Sequence, residues 1–304
     1  MVTREIQDEI LKLKKENDIC ILAHSYQSPD ILEIADYTGD SYRLSVLASE
    51  IKCKTIVMCG VLFMGETVKL LSPDKRVILP VEGATCPMAE QIAPQRVIDF
   101  KKENPNFKVV AYINTTAALK AVCDVCVTSS SALKIVDALE EKDILFIPDK
   151  NLGSFVKEKL PHKNVILWDG YCPVHNAITV KECEEAKKLH PNAKILMHPE
   201  LPAEVLKYAD LIGSTADILN FAKNTNEECI IGTENHIADF LSQNNPNGKY
   251  YKLSKNLFCA DMRLTSLIDV YHAVKGDGGF EVTLSNELLI SAKKPITEMI
   301  RLGN

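Results

Sequence analysis

The sequence has no surplus of basic residues. Its 35 lysines and arginines are outnumbered by 41 aspartates and glutamates, so the formal net charge is −6 at pH 7 and the pI is near 5.7. Proteins that bind nucleic acid without sequence specificity do so largely through clustered positive charge. The charge balance therefore argues against a nucleic-acid partner.

Long apolar runs are also missing. A membrane-spanning helix needs roughly 18 or more consecutive apolar residues, and no stretch of this chain approaches that length. The N-terminal stretch, MVTREIQDEILKLKKEND, has the pattern of a charged amphipathic helix and lacks the apolar core of a signal peptide. We therefore expect a cytoplasmic protein with no membrane partner. Its ten cysteines would lie in a reducing compartment, which does not favour a disulfide framework.

Three of the cysteines recur at a nearly constant spacing. Cys86, Cys172 and Cys259 are 86 and 87 residues apart, and each lies in a short turn after a strand-like run. A long internal period is characteristic of repeated structural units. The spacing predicts three copies of one unit, each of which contributes one thiol from the same place in its fold. Three such units around a pseudo-threefold axis would bring the three thiols to one point.

Polar residues repeat with the same period. Each unit opens with an apolar run that ends in two polar side chains: His24 and Tyr26, Tyr112 and Asn114, His198 and Glu200. About fifteen residues after each pair comes a hydroxyl group, at Ser41, Ser129 and Thr215. A single hydroxyl of this kind would most simply be a helix N-cap. The recurrence of the whole set favours a shared ligand-binding role.

Alternating strand-like and helical segments predict an α/β fold. Short β-branched runs alternate with longer amphipathic segments along the chain, which is typical of βαβ units and parallel sheets. We expect three αβα sandwich domains with small parallel sheets, related by pseudo-threefold symmetry. Loop-forming residues at 104–106 and 190–192 place these domains at 1–104, 105–190 and 191–275. The tail, 276–304, has no counterpart in the repeat and is expected to pack back on the first domain.

The repeated polar residues are expected to share one edge of the structure. Parallel sheets bind ligands outside the carboxyl ends of their strands, which is where these residues stand. Helix N-termini offer free N–H groups and the positive end of the helix dipole, so they attract phosphate and carboxylate. Three such termini beside Ser41, Ser129 and Thr215 would form an anion site with few basic residues.

The three repeated cysteines are compatible with more than one metal. Structural zinc takes four ligands, usually from close CxxC pairs, and no such pair adjoins Cys86, Cys172 or Cys259. A [4Fe–4S] cluster usually has four cysteine ligands, so three cysteines would leave one iron open as a Lewis acid. From the residues alone, an iron–sulfur cluster, a zinc ion and ordinary buried cysteines all stay open.

Several long motifs resemble those of one enzyme family. They are AHSYQ at 23–27, GDSY at 39–42, MCGVLFMGETVKLL at 58–71, VEGATCPMA at 81–89, AYINTTAALKAVCDVCVTSS at 111–130, IPDKNLG at 147–153, WDGYCPVH at 168–175, MHPE at 197–200, GST at 213–215 and GTENHI at 232–237. On these motifs, which span nearly the whole chain, the sequence resembles the quinolinate synthases. It departs from the family pattern at Ala260, where a proline often follows the third cysteine, and this difference affects only the local turn.

The resemblance implies a cofactor and a reaction. The cofactor would be a [4Fe–4S] cluster with three cysteine ligands, Cys86, Cys172 and Cys259, and one open iron. The reaction would be the condensation of iminoaspartate with dihydroxyacetone phosphate to quinolinate, phosphate and water, in NAD biosynthesis. An aspartate-oxidising enzyme would supply the iminoaspartate.

The resemblance, together with the chemistry of the side chains, also implies the roles of the strand-end residues. The expected catalytic residues are Tyr26, Tyr112, His198 and Glu200. The expected substrate-binding residues are His24, Ser41, Tyr112, Asn114, Ser129, His198, Glu200 and Thr215. Glu200 is expected to be the general base, because the condensation removes protons next to an imine. His175, three residues after Cys172, is expected to lie close to the cluster.

Two other functions stay open at this point. One is a non-catalytic protein that binds a phosphometabolite at its helix termini and carries structural zinc on the thiols. The other is a hydro-lyase, because an iron with an open site also suits the dehydration of hydroxy acids. The acid–base groups Tyr26, Tyr112 and Glu200 argue against the first, and the predicted phosphate site argues against the second.

One CxxC motif stands apart from the repeated cysteines. It is formed by Cys123 and Cys126, and such a motif on its own is typical of redox or metal sites. It has no partner pair and no thioredoxin-like flanking residues. We expect a structural role near Ser129 rather than a reversible disulfide.

Overall fold

The structure is a computed structural model and describes residues 2–303. Met1 and Asn304, the end residues of the predicted first domain and tail, lie outside this range. The strands form three sheets. The first contains β1 (Ile19–His24), β2 (Tyr37–Gly39), β3 (Thr55–Cys59) and β4 (Arg76–Leu79). The second contains β5 (Lys108–Tyr112), β6 (Val125–Val127), β7 (Asp143–Ile147) and β8 (Asn164–Leu167). The third contains β9 (Lys194–Met197), β10 (Leu211–Ile212), β11 (Cys229–Gly232) and β12 (Tyr250–Lys252).

The three sheets share one topology. Their strand orders are β2-β1-β3-β4, β6-β5-β7-β8 and β10-β9-β11-β12, and all of these pairs are parallel. The predicted α/β class with small parallel sheets is thereby confirmed. The repeated order is consistent with three αβα units, while the domain boundaries stay a prediction.

Helices connect the strands of each sheet. The first group is α1 (Thr3–Glu16), α2 (Pro29–Leu32), α3 (Ser41–Ala48) and α4 (Leu62–Leu71). The second group is α5 (Pro94–Glu103), α6 (Ala117–Lys120), α7 (Ala132–Ala138) and α8 (Lys150–Lys159). The third group is α9 (Pro173–Asn176), α10 (Val180–Leu189), α11 (Ala203–Leu206), α12 (Thr215–Asn224) and α13 (His236–Asn244), and α14 (Leu267–Lys275) follows. Within residues 2–303, no helix has the length and apolar character needed to cross a bilayer.

Both faces of each strand layer are covered. In β9, Ile195 and Met197 belong to one buried apolar cluster while Leu196 belongs to another. In β1, Ile21 and Leu22 are divided between two clusters in the same way. Runs that are apolar on both faces are typical of parallel sheets packed between two helix layers. This packing holds the strands rigidly, and so fixes the position of the residues that follow them.

A carboxylate repeats at the amino ends of the sheets. Asp36, Asp124 and Asp210 each stand immediately before the second strand of a sheet. Their side chains accept hydrogen bonds from the backbone N–H groups of Ile21 (2.8 Å), Val109 (2.8 Å) and Ile195 (2.9 Å), each fifteen residues earlier. A lysine pairs with each, at 2.9 Å from Lys14, 2.8 Å from Lys101 and 3.4 Å from Lys194. These bonds tie the second strand of each sheet to the first.

The C-terminal tail contacts two of the sheets. Its strand β13 (Phe280–Glu281) pairs antiparallel with β4 at the edge of the first sheet. Two helices follow, α15 (Asn286–Ser291) and α16 (Lys293–Gly303). The last helix packs on β6 and α7 of the second sheet, where it buries Ile296 and Met299. The tail is predicted to pack on the first domain. Its strand does pair with the first sheet, whereas its last helix lies against the second sheet.

Candidate active site

One cavity lies at the carboxyl ends of the strands. All the residues predicted to bind iron or substrate line it: His24, Tyr26, Ser41, Cys86, Tyr112, Asn114, Ser129, Cys172, His198, Glu200, Thr215 and Cys259. The three sheets therefore contribute to a single site, as the repeat pattern predicts.

Two histidines at strand ends adopt the same local geometry. Nδ1 of His24 accepts a hydrogen bond from the N–H of Tyr26 (3.2 Å), and Nδ1 of His198 accepts one from the N–H of Glu200 (3.5 Å). An imidazole nitrogen that accepts carries no proton, so the hydrogen-bond network assigns the proton to Nε2 in both rings. Each ring is thereby oriented by the turn that presents the next polar side chain, and its Nε2–H is the donor left for a ligand.

Both histidines are uncharged at neutral pH. Burial, together with the charge of His198, lowers the pKa of His24 to about 4 although Glu200 opposes this shift. Burial likewise lowers the pKa of His198 to about 4, with Glu200 again opposing and His175 adding to the shift. A desolvated imidazole disfavours its charged form. These rings can therefore bind a ligand as neutral hydrogen-bond donors.

Glu200 is buried and lies close to several polar side chains of the site. It is 4% exposed, its Oε2 lies 2.9 Å from Nδ1 of His175 and 3.8 Å from Nδ1 of His198, and its side chain accepts a hydrogen bond from Tyr112. Burial alone would raise the pKa of Glu200, but the two histidines and the hydrogen bonds from His175 and Tyr112 outweigh it and lower the pKa to about 2. Glu200 is therefore a carboxylate at neutral pH, in the form that accepts protons.

A chain of hydrogen bonds leads from Glu200 to Tyr26. Nδ1 of His175 bonds to Glu200, and its Nε2 lies 3.2 Å from Oγ1 of Thr233. The same Thr233 hydroxyl lies 2.7 Å from the hydroxyl of Tyr26, which lies 3.1 Å from Oγ1 of Thr215. Burial raises the pKa of Tyr26 far above its ordinary value. Thr233 thus links side chains of the first and third sheets.

The three repeated cysteines interact with one another. Burial, with the charges of Cys259 and Glu200 adding to it, raises the pKa of Cys86 to about 12. Burial raises the pKa of Cys259 to about 11, and burial together with Glu200 and Cys86 raises that of Cys172. All three are free thiols. A metal would replace their protons and offset the cost of gathering three thiolates, so the donor set fits an iron–sulfur cluster.

One subset of these donors also fits a single metal ion. The ligand atoms of Cys172, His175 and Glu200 lie within 4.8 Å of one another, and Sγ of Cys172 is 3.3 Å from Nδ1 of His175. Thiolate, imidazole and carboxylate are all ligands of zinc. The geometry therefore keeps a mononuclear ion as the rival to a cluster.

The predicted hydroxyl groups do not all begin a helix. Ser41 and Thr215 are the first residues of α3 and α12, after the N-caps Asp40 and Ser214. In the second unit, α7 begins three residues after Ser129, and the N–H of Thr128 donates to Oγ of Ser131 (2.9 Å) in the turn that precedes it. The prediction of a helix start at Ser129 is wrong, although Ser129 still lines the cavity.

A buried lysine donates hydrogen bonds to the backbone on both sides of Asn114. Lys120 is fully buried, and its Nζ donates to the carbonyls of Ile113 (2.8 Å) and Thr115. Oδ1 of Asn114 is buried and has no hydrogen-bond partner among the residues that the structure describes. A buried unpaired acceptor costs free energy, so this oxygen is suited to a donor on a ligand.

Three further residues at the site escaped sequence reasoning. They are Asp149, Thr233 and Glu234, and each is fully buried. Each directly follows the third strand of its unit or lies two residues beyond it, in IPD and GTE. The sequence prediction considered residues after the first, second and fourth strands of each unit, but not those after the third strands. The same search applied to the third strands would have found them.

The CxxC cysteines lie away from the cavity lining. Cys123 and Cys126 are free and buried, and Sγ of Cys123 donates to the carbonyl of Leu119 (3.1 Å). Burial raises the pKa of Cys126 to about 11. Buried, protonated thiols are unreactive, which is consistent with the structural role expected for them.

Comparison with known proteins identifies the family. Residues 8–301 match the family model described as quinolinate synthetase A protein. Quinolinate synthase of Clostridioides difficile strain 630 is 44% identical over 301 residues, which cover 99% of each chain. That of Caldicellulosiruptor bescii is 43% identical over 299 residues, 98% of each chain, and that of Clostridium perfringens strain 13 is 44% identical over 301 residues, 98% of this chain and 99% of the relative. The chain therefore belongs to the quinolinate synthetase A family of enzymes.

Proposed function

We propose that this enzyme makes quinolinate for NAD biosynthesis, by condensing iminoaspartate with dihydroxyacetone phosphate and releasing phosphate and water. The observation that carries the proposal is the convergence of three thiols, a carboxylate and two tyrosines on one cavity. The family relationship supports the product and the pathway. The choice of substrates rests on that relationship and on the chemistry of the cavity.

In this proposal Cys86, Cys172 and Cys259 hold a [4Fe–4S] cluster. When bound by three cysteines, such a cluster leaves one iron without a protein ligand, and this iron supplies a Lewis acid for hydroxyl or carboxylate groups. Val61, Phe63 and Met88 also line the cavity. Apolar walls exclude water, and so strengthen every polar contact made inside.

Neutral hydrogen-bond donors, rather than charged side chains, would bind the substrates. His24 and His198 would donate through Nε2 to a substrate carboxylate, since their Nδ1 atoms are engaged by the backbone. The hydroxyls of Ser41, Ser129 and Thr215 would bind the phosphate and the second carboxylate, with the N-termini of α3 and α12 adding N–H groups. Oδ1 of Asn114 would accept from a substrate hydroxyl or imine N–H.

Proton transfer is assigned to Glu200 and the two tyrosines. Glu200 is ionised and would take a proton from the carbon next to the imine. Tyr112 donates to Glu200, and it would orient that carboxylate and the triose phosphate. Tyr26 stays protonated because burial raises its pKa, so it is suited to donate a proton to a leaving hydroxyl. His175 links these groups through Thr233.

The test uses protein purified without air. We expect a brown solution that holds about four irons and four sulfides per chain and forms quinolinate from dihydroxyacetone phosphate and freshly generated iminoaspartate. Quinolinate is followed by its ultraviolet absorbance after chromatography. A preparation without iron that forms no quinolinate would contradict the proposal.

A metabolite-binding protein with structural zinc is the second candidate. The close approach of the ligand atoms of Cys172, His175 and Glu200 favours it. It predicts colourless protein that contains one zinc and binds phosphate without turnover. Metal analysis of the same anaerobic preparation separates the two candidates.

A further inference from the structure

The three cysteine turns are joined to their sheets by the same backbone hydrogen bond. The N–H groups of Leu62, Lys150 and Asn235 donate to the carbonyls of Ala84 (2.8 Å), Gly170 (2.8 Å) and Leu257 (2.9 Å). Each acceptor stands two residues before one of the repeated cysteines. This register makes Val61, Asp149 and Glu234, which precede the three donors, equivalent positions in the three units.

Two of these equivalent positions carry a buried carboxylate, and each carboxylate binds the amide of a cysteine. Oδ2 of Asp149 accepts from the N–H of Cys172 (2.9 Å), and Oε1 of Glu234 accepts from the N–H of Cys259 (3.4 Å). Both side chains are 0% exposed. The first unit has Val61 at this place, and the side chain of valine cannot accept a hydrogen bond from a cysteine amide.

The second oxygen of each carboxylate has a separate task. Oδ1 of Asp149 accepts from the N–H of Leu152 (2.7 Å) and so caps α8, while Oε2 of Glu234 accepts from the N–H of His236 (2.7 Å) at the start of α13. A helix cap needs only one oxygen, which Asn, Ser or Thr could provide. The bond to the cysteine amide is therefore what a carboxylate adds at these positions.

The two carboxylates differ in their charge environment. Glu234 is paired with Arg263: Oε1 of Glu234 lies 2.6 Å from Nη2 and 2.8 Å from Nε of Arg263. The only hydrogen bonds to Asp149 in the described chain come from the two backbone N–H groups. Burial and the charge of Glu200 raise the pKa of Asp149 to about 7, although the two N–H groups and His175 oppose this shift. Glu234 is thus held by the backbone and by Arg263, whereas Asp149 is held by hydrogen bonds from the backbone alone.

We propose that Asp149 and Glu234 are positioning residues, which fix the turns of Cys172 and Cys259 so that their thiols are placed for the cluster. This inference rests on the proposed function, since it assumes that the three cysteines bind iron.

The experiment compares Asp149→Asn and Glu234→Gln with the parent enzyme, all purified without air. An amide presents one oxygen and one NH2 group, so each variant loses one of its two backbone hydrogen bonds at nearly unchanged volume. Asp124→Asn is the matched control, because Asp124 also accepts from a backbone N–H (2.8 Å) of the second sheet but at the amino end. The readouts are iron and sulfide per chain, the electron paramagnetic resonance spectrum of the reduced cluster, and the melting temperature of metal-free protein.

We expect Asp149→Asn and Glu234→Gln to lose iron to a chelator several-fold faster than the parent, with an altered resonance spectrum. Asp124→Asn should melt at a lower temperature but keep its iron and spectrum.

Parent-like iron retention and spectrum in both variants would overturn the inference. Iron loss in Asp124→Asn equal to that in the other two, in step with the melting temperature, would also overturn it, because the effect would then be general destabilisation. A parent enzyme without iron would instead contradict the proposed function, so the two failures can be told apart.

Discussion

The amino ends and the carboxyl ends of the three sheets differ in how closely their side chains repeat from one unit to the next. At the amino ends the same device occurs three times, an aspartate before the second strand that binds the first strand and a lysine. At the carboxyl ends the backbone links are threefold, but the side chains are not: His24 and Tyr26, Tyr112 and Asn114, and His198 and Glu200 occupy matching places. The repeat has kept the residues that tie strands together, and at the cavity it has kept the cysteines and hydroxyl groups but varied the residues that follow the first strands.

This difference indicates that side chains at the amino ends stabilise the fold, while those at the carboxyl ends serve the reaction. A hydrogen bond to a backbone N–H inside a sheet serves every copy equally. The cavity needs distinct groups around one reactant, because a single active site requires a base, donors and metal ligands in different directions. Substitutions at the two ends should therefore have separable effects, and the expected effects below run from the largest to the smallest.

Glu200→Gln should have the largest effect on rate. The amide cannot accept the proton, and loss of a positioned acid–base group typically costs about 10²–10⁴-fold in rate. Iron content and substrate binding should be unchanged. Single turnover with anaerobic protein of verified iron content measures this, and Glu204→Gln, an exposed change in the same unit, is the control. Quinolinate formation at the parent rate would remove Glu200 from the mechanism and leave a tyrosine or a base on the substrate as the candidate.

Acid should destabilise the carboxyl end through His24. Its pKa in the folded protein is about 4, below the ordinary value of 6.5, so burial of the neutral ring contributes stability that is fully present above pH 6.5 and is lost as the pH falls towards 4. Between pH 7 and 5 the loss is about 2 kcal/mol. Urea unfolding of metal-free His24→Gln should show a pH dependence weaker by that amount. The exposed His162→Gln is the control, and an unchanged slope in His24→Gln would refute the assignment.

Substitutions at the amino ends should affect stability only. Asp36→Asn, Asp124→Asn and Asp210→Asn each weaken a charged hydrogen bond to the backbone, which should lower the free energy of unfolding by about 1–3 kcal/mol. The smallest loss is expected for Asp210, whose lysine is the most distant at 3.4 Å. Urea denaturation measures the loss, and turnover per bound iron should match that of the parent. A slower reaction at full iron content in any of the three variants would contradict the claim that the amino ends serve stability only.

The hydroxyl groups should have the smallest effect. Ser41→Ala and Ser129→Ala should each weaken binding of phosphate or product by about 1–2 kcal/mol, the range for a hydrogen bond to a charged group. Calorimetric titration of the iron-loaded variants tests this, with the exposed Ser242→Ala as the control. Normal binding in both variants would exclude these hydroxyls from the anion site.

The sequence was informative wherever function repeats with a period. The even spacing of Cys86, Cys172 and Cys259 predicted a shared site, and the polar pairs after the first strands predicted which side chains line it. The parallel sheets follow from the alternation of strand-like and helical segments, which is typical of βαβ units.

What escaped the sequence depends on contacts between distant segments. Thr233 meets Tyr26 across 207 positions of chain, and no local pattern encodes that pairing. The late start of α7 follows a turn in which the N–H of Thr128 donates to Oγ of Ser131, and the sequence pattern did not reveal that turn. Asp149 and Glu234 look like ordinary helix caps until the cysteine amides are seen beside them.

The most direct test of the account is the iron content of single cysteine variants prepared without air. The account predicts that Cys86→Ala, Cys172→Ala and Cys259→Ala each lose the cluster and all quinolinate formation, because two ligands cannot retain it at a site open to substrate. Cys183→Ala, which changes a cysteine buried in the apolar core of the third sheet, should keep about four irons per chain. Full iron content in Cys172→Ala would contradict the central claim that the three repeated thiols hold one cluster.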